Sequence, residues 1–319
     1  MKKLLSLALV LVMMGALLAS CGGTSTMTMG TGGTAGTYYG YGGILGTQIK
    51  NASGITVNVV STDGSKANIL GINAGNYQLG TVQSDVMAYA YQGIRSFETE
   101  GALDSFRVIG GLYAEAVQLV TMNPDIKSVA DLKGKSVSIG AIGSGVYFNA
   151  VDVIEAAGMT LNDIKPQYQS FADSADALKN KQIDAAFIVA GAPTPAISEL
   201  FTTNTAYLVP IDGAVAAALK AKCPYYTDYS IPAKAYGEGQ PEAVNTVTVK
   251  ATLIVSTSAS EEDVYNVTKA IFDNMDAIKA AHAKGAELSL ENATSGMTAP
   301  FHKGAAKYFA EKGITVDAK

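Results

Sequence analysis

The sequence predicts an α/β protein of two lobes, each a mostly parallel sheet flanked by helices, joined by two long crossing strands. Three observations predict it. Segments rich in β-branched and apolar residues alternate with segments of helical periodicity across short turns, the pattern of sheets covered by helices. Two extended stretches, residues 106–122 and 244–256, exceed the roughly five or six residues of an ordinary strand. Three times, a strand runs into a Gly/Ser/Thr loop that opens a helix.

The first twenty residues stand outside this fold. Lys2 and Lys3 precede an uncharged apolar run over positions 4–18, short of the ~20 residues that span a bilayer as a helix. It reads as a signal-peptide segment. It ends in Leu18-Ala19-Ser20-Cys21, which resembles the bacterial lipobox and implies cleavage before Cys21 and lipidation of its sulfur. Residues 1–20 are thus expected to be a signal peptide and 21–24 a short tether. The chain is expected outside the cytoplasmic membrane, held by its lipid.

Strands are predicted over 25–29, 56–61, 79–82, 106–112, 117–122, 136–140, 166–169, 185–189, 207–211 and 247–255. Their apolar, β-branched content fits strands buried on both faces. Helices are predicted over 37–51, 65–74, 85–91, 145–157, 174–179, 194–200, 261–283 and 303–311. In the fourth of these, Val146, Ala150, Val153, Ile154 and Ala157 recur one and two turns apart, a core-facing stripe. The stretches 106–122 and 244–256 read as strands that leave one lobe and continue in the other. That assigns residues 25–113 plus 250–319 to lobe I and 114–249 to lobe II; the alternative is a single large doubly wound domain.

Composition excludes several functions. The net charge is −5, more negative once Lys2 and Lys3 are removed, and Arg95 and Arg107 are the only arginines. Binding nucleic acid needs a basic stripe to displace counterions from phosphate, so no such partner is expected. Cys223 is the only cysteine besides Cys21, which leaves no intramolecular disulfide. His282 and His302 lack metal-ligand spacing. No nucleophile elbow and no phosphate-binding P-loop occurs. No catalytic set, metal or cofactor is expected.

The chemistry concentrates in the loops. Gly30-Thr31-Gly32-Gly33-Thr34-Ala35-Gly36 precedes the first helix, Ser61-Thr62-Asp63-Gly64-Ser65 the second, and Gly143-Ser144-Gly145 the fourth. Each leaves backbone N–H groups at a helix start, where the partial positive charge favours an anion. Glycine admits close approach and the hydroxyls add donors. Ligands of open α/β sheets lie beyond the carboxyl ends of the strands, where all three loops sit. Lys66 or Arg95 could add positive charge, and Asp63 or Asp85 could hold an ammonium group. A zwitterion would satisfy both, so an amino acid or small dicarboxylate is favoured over phosphate. Tyr38, Tyr39, Tyr89, Tyr113 and Tyr147 could wall the cleft.

These loops in this order resemble the TAXI family, the TRAP-associated extracytoplasmic immunogenic receptors. The likeness adds Gln83-Ser84-Asp85, Asp131–Lys135, Ile183-Asp184-Ala185-Ala186-Phe187, Gly191 with Pro193, and Pro300-Phe301-His302-Lys303-Gly304-Ala305. It implies a periplasmic-binding-protein-like (type II) fold, a monomer whose cleft closes on a small carboxylate or glutamate-like amino acid. It also implies an integral-membrane TRAP permease as partner, driven by an ion gradient. By position it implies ligand contacts from Thr31, Gly32, Thr34, Tyr39, Ser65, Asn68, Gln83 and Asp85 in lobe I. Ser144, Gly145, Gly191 and Pro193 would serve in lobe II. Gly33, Ser61 and Gly64 join this set as members of the loops. Gly40 stands where the family often has proline, and Pro300-Phe301-His302 replaces its usual pattern near the end.

Overall fold

A computed structural model describes residues 25–319. The expected signal segment and Cys21 lie outside the described residues. Among the described residues, ten strands and eleven α-helices follow one another as β1 (Thr26–Gly30), α1 (Thr37–Ser53), β2 (Thr56–Val60), α2 (Ser65–Asn73), β3 (Leu79–Gln83), α3 (Ser84–Gln92) and β4 (Phe106–Thr121). Then come β5 (Ser136–Ser138), α4 (Gly145–Ala156), β6 (Lys165–Gln167), α5 (Phe171–Lys179), β7 (Ala185–Ala190), α6 (Pro195–Thr203), β8 (Tyr207–Val209) and α7 (Gly213–Lys222). The chain closes with β9 (Thr227–Ile231), β10 (Val244–Ser256), α8 (Glu261–Phe272), α9 (Met275–Ala281), α10 (Leu290–Thr294) and α11 (Lys303–Glu311).

The strands form one continuous ladder in the order β2-β1-β3-β10-β4-β7-β5-β6, with β8 on β4 and β9 on β10. Its two ends are parallel and its middle is antiparallel. The reason is the pair of long strands. β4 and β10 run antiparallel for most of their length, with register irregularities near Ala251 and Ile254. Every residue of β4 except Ala114 is buried, as its nearly unbroken apolar run requires.

Buried apolar residues fall into separate cores on either side of this pair. One core draws on residues between Met27 and Tyr113 and between Ala251 and Phe309. The other two draw on residues between Ala116 and Val249. The molecule is therefore two-lobed, and we call the body around the first core the first lobe and the other the second. β4 passes from one core to the other between Tyr113 and Ala116, and β10 between Val249 and Ala251. The residue at that passage in β4 is Glu115, paired in register with Val249.

Some elements differ from expectation. Residues 106–112 and 117–122 belong to one strand. The helix expected over 261–283 breaks at Asp273 and Asn274. There Asp273 takes Lys269, Tyr308 and Lys312 as partners, and the Asn274 amide returns to the Ala270 carbonyl. α7, β9 and α10 were not anticipated. α5 begins at Phe171, three residues before the expected start, because Ser170 caps it through the Asp173 N–H.

Candidate functional site

Five helices, among them α3 with Gln83 as its N-cap, begin at a single cavity between the lobes. Its wall includes Gly36-Thr37-Tyr38 at the start of α1, Gly64-Ser65 at α2, Ser144-Gly145-Val146 at α4 and Ser170-Phe171 at α5. Gly32, Gly33, Thr62, Asp63, Gln83, Glu115, Ala141, Gln169, Val189 and Ala190 complete it. The cavity volume is about 70 Å³, room for one small molecule.

The helix starts are not equivalent. α1 and α2 have glycine N-caps with no side-chain cap. The third amide of α2, the Ala67 N–H, is taken by the Gly143 carbonyl of the second lobe, which leaves the first two amides of α2 and those that open α1 to an incoming acceptor. α4 and α5 are capped by Ser144 and Ser170, which accept from Tyr147 N and Asp173 N. Gly64 has φ +106°, a conformation L side chains rarely adopt. A side chain at Gly145 would collide with Gln83, since a Cβ there would lie 1.7 Å from Oε1.

The cavity contains no Lys or Arg but two carboxylates, Asp63 and Glu115. Glu115 is buried and accepts a 2.6 Å hydrogen bond from the Tyr38 hydroxyl. Burial pushes its carboxyl up to about 8, partly opposed by that bond. The Gln83 Oε1 and Gln169 Oε1 are buried with no partner among the described residues. The cavity wall thus holds both acceptors and N–H donors, side by side: Glu115 is bonded to Tyr38 in the first turn of α1, and the Gln83 N–H to the Ser65 hydroxyl that opens α2. Such a wall suits a ligand bearing both an anion and an N–H donor.

Of the residues expected at the site, Gly32, Gly33, Gly64, Ser65, Gln83, Ser144 and Gly145 line this cavity. Thr34 and Ser61 line a shallower groove beside it. Thr31 and Asn68 lie behind the wall and hold it. The Asn68 amide donates to the carbonyls of Thr31 and Thr81, and the Thr31 hydroxyl to the Val60 carbonyl. Asp85 is also behind, fully buried, its carboxyl pushed up to about 7 chiefly by burial. Gly191 accepts from the Thr37 hydroxyl through its carbonyl and packs on Lys284, and neither it nor Pro193 reaches the cavity.

Tyr39 is exposed. Adjacent helical residues point about 100° apart, and Tyr38 takes the inward direction. Tyr89 and Tyr113 pack in the first core, and Tyr147 packs on the edge of Phe148. Lys66 pairs with Glu100, and Arg95 with Asp152, so neither charge enters the cavity. Sequence reasoning missed Glu115, Gln169, Ser170 and Phe171. A signal existed for two of them. Glu115 is the lone acid in a long apolar strand, and Ser170-Phe171-Ala172-Asp173 has the spacing of a capping box.

Among the described residues no cluster of three His, Cys, Asp or Glu could hold a metal ion, and no helix is long and apolar enough to cross a membrane.

The chain belongs to the NMT1-like family, whose model matches residues 29–313. Solved structures share its two-lobed, periplasmic-binding-protein-like fold. The alkanesulfonate-binding protein SsuA of Xanthomonas axonopodis pv. citri, bound to MOPS, is 16% identical, with a TM-score of 0.51 over 90% of this chain and 91% of that one. A putative L-cystine ABC transporter protein of Listeria monocytogenes is 19% identical, with a TM-score of 0.52 over 83% and 98%. A structure concerning glutathione import via GshT and the cystine ABC importer of Streptococcus mutans is 14% identical, with a TM-score of 0.53 over 89% and 100%. At these identities the likeness is one of fold.

Proposed function

We propose that this protein is an extracytoplasmic solute-binding receptor that captures a small zwitterion, an amino acid, between its lobes for a membrane transporter. One observation carries the reading: helix starts from both lobes and the buried Glu115 border one cavity. The ligand carboxylate would meet the uncapped amides of α1 and the first amides of α2, with the Ser65 hydroxyl nearby. Its ammonium group would meet Glu115, with Asp63, Gln83 and Gln169 as further acceptors. Glu115 ionised in the complex would attract an ammonium group and repel the second carboxylate of a dicarboxylate, so the reading favours amino acids.

In this reading residues 25–113 plus 250–319 form lobe I and residues 114–249 form lobe II. The loops Gly32–Gly33, Gly64–Ser65 and Ser144–Gly145 touch the ligand, while Thr31, Asn68 and Asp85 support them. No catalytic set is assigned. Structural neighbours are proteins of import systems for sulfonates, cystine and glutathione, which supports transport as the role.

The finer assignment, a monomeric TAXI-type receptor anchored through Cys21 and serving a gradient-driven TRAP permease, rests on the sequence resemblance. Two of the neighbours are described with ABC transporters. The two types separate by energy source: uptake into vesicles carrying receptor and permease should survive ATP depletion and collapse with the ion gradient. The reverse would assign an ABC partner.

The binding reading is tested by a thermal-shift screen of amino acids, their 2-oxo analogues and dicarboxylates. Stabilisation by at least one amino acid, and less by its 2-oxo analogue, is expected. A screen in which dicarboxylates alone stabilise the protein would overturn the zwitterion assignment.

A further inference from the structure

Beside the cavity, outside its wall, the lobes meet through buried polar groups. Asn149 of α4 is fully buried. Its Nδ2 donates to Asp85 Oδ2 at 2.9 Å and to the Tyr226 hydroxyl at 2.6 Å, and its Oδ1 accepts from Gln83 Nε2 at 2.9 Å. The Tyr226 hydroxyl donates to Asp152 Oδ2 at 3.1 Å, and Asp152 also pairs with Arg95. Gln83, Asp85 and Arg95 belong to the first lobe, Asn149, Asp152 and Tyr226 to the second. The connected set exists only when the lobes are together.

Its donors and acceptors run in one direction. Arg95 pairs with Asp152, and Asp152 accepts the Tyr226 proton. The Tyr226 oxygen is then free to accept, and with Asp85 it takes both protons of the Asn149 amide. A flipped Asn149 would set its oxygen against Asp85 in its ionised form and against a phenol whose proton is committed elsewhere. The Asn149 oxygen therefore faces Gln83 and claims its NH₂ group. That leaves Gln83 Oε1 against Gly145, at the cavity wall.

We propose that Asn149 is a positioning residue for solute capture: without touching the cavity, it sets the Gln83 amide in the wall and joins it to the Arg95–Asp152–Tyr226 group. Lobe closure and the finished wall are thereby one event. This rests on the reading of the cavity as the solute site. A buried group left without its partner loses far more than a paired one gains, so Asn149 matters through the groups it would strand.

The test is a reciprocal exchange. In Asn149→Asp both donors are lost and a carboxylate faces Asp85. In Asn149→Asp with Asp85→Asn, the donor and acceptor change places across the same contact. Affinity for the best amino acid of the screen is measured by calorimetry. The interlobe distance distribution is measured with spin labels at the exposed positions Asn51 and Lys165, with and without that amino acid. Asn149→Asp should bind about ten- to a hundredfold more weakly, the loss of one or two buried hydrogen bonds, and shift to longer distances. The double variant should recover most of both. Wild-type affinity and distances in Asn149→Asp, or no recovery in a folded double variant, would overturn the proposal. If wild type binds no amino acid, the solute reading fails separately. The distances then judge the inference: no difference between wild type and Asn149→Asp would overturn it.

Discussion

The two lobes bring helix starts to the same cavity by different means. In the first lobe α1 and α2 begin at glycines and carry no side-chain cap; in the second, α4 and α5 begin at serines that cap them. The serine-capped starts have each spent one amide on their own side chain, and α2 spends its Ala67 N–H on the Gly143 carbonyl across the cleft, so α1 keeps the most amides for an arriving acceptor. The difference assigns roles. The first lobe supplies the anion-holding amides, and the second closes over the ligand with the flat surface of Gly145, its Ser144 and Ser170 hydroxyl protons being held by the Ala141 carbonyl and the Asp173 carboxylate. The carboxylate of Glu115 lies on neither side but at the point where β4 leaves one core for the other.

The harshest way to break the comparison is to roughen the closing surface. Gly145→Val places a side chain where Gln83 already stands, and overpacking of this kind costs about 1–3 kcal/mol or more. Solute affinity should fall by about a hundredfold, and the ligand-free protein, which already holds Gly145 against Gln83, should lose melting temperature as well. An affinity within threefold of wild type would show that closure does not press Gly145 on Gln83.

Glu115→Gln separates the two ends of the ligand. A hydrogen bond to a charged group contributes about 1.5–3 kcal/mol, so amino-acid affinity should drop about tenfold or more. Affinity for the 2-oxo analogue should hold or rise. Equal losses would remove Glu115 from the ammonium contact. The same group predicts a pH profile. With its carboxyl near 8 in the free protein and ionised in the complex, affinity is full above that pH and falls as pH drops, approaching about tenfold per unit. Stability of the free protein runs the other way. The buried acid is favoured protonated, so its contribution is present at low pH and lost as pH rises towards 8. Calorimetry from pH 6 to 9 and melting curves over the same range check both signs.

The smallest effect lies in the caps. Ser170→Ala should cost about 1 kcal/mol of stability and change affinity less than about threefold, because it frees an amide rather than removing one. Gly64→Ala, at φ +106°, should strain the backbone by about 1–2 kcal/mol and weaken binding more than it lowers stability. If the serine variant loses more affinity than the glycine variant, the division of roles between the lobes is wrong.

Much of this architecture could be read from residues alone, for identifiable reasons. Glycine-rich turns after strands announce helix starts, and extended runs of 244–256 type announce a crossing strand because length outlasts one lobe. What escaped depended on direction or on partners distant in sequence. Tyr38 and Tyr39 differ by one step of helical phase, and only packing decides which faces inward. Asn68 and Thr31 have the right chemistry for a ligand, but each is consumed by backbone carbonyls of neighbouring strands. Glu115 could be seen as a lone acid in an apolar strand. That it borders the cavity follows only from where β4 changes cores.

The most direct test is a crystal structure with the tightest-binding amino acid of the screen. The ligand carboxylate should lie within hydrogen-bond distance of the backbone amides that open α1 and α2, and its ammonium group within that distance of Glu115. A carboxylate seated on the second lobe's serine-capped starts, or an ammonium group turned away from Glu115, would contradict the account.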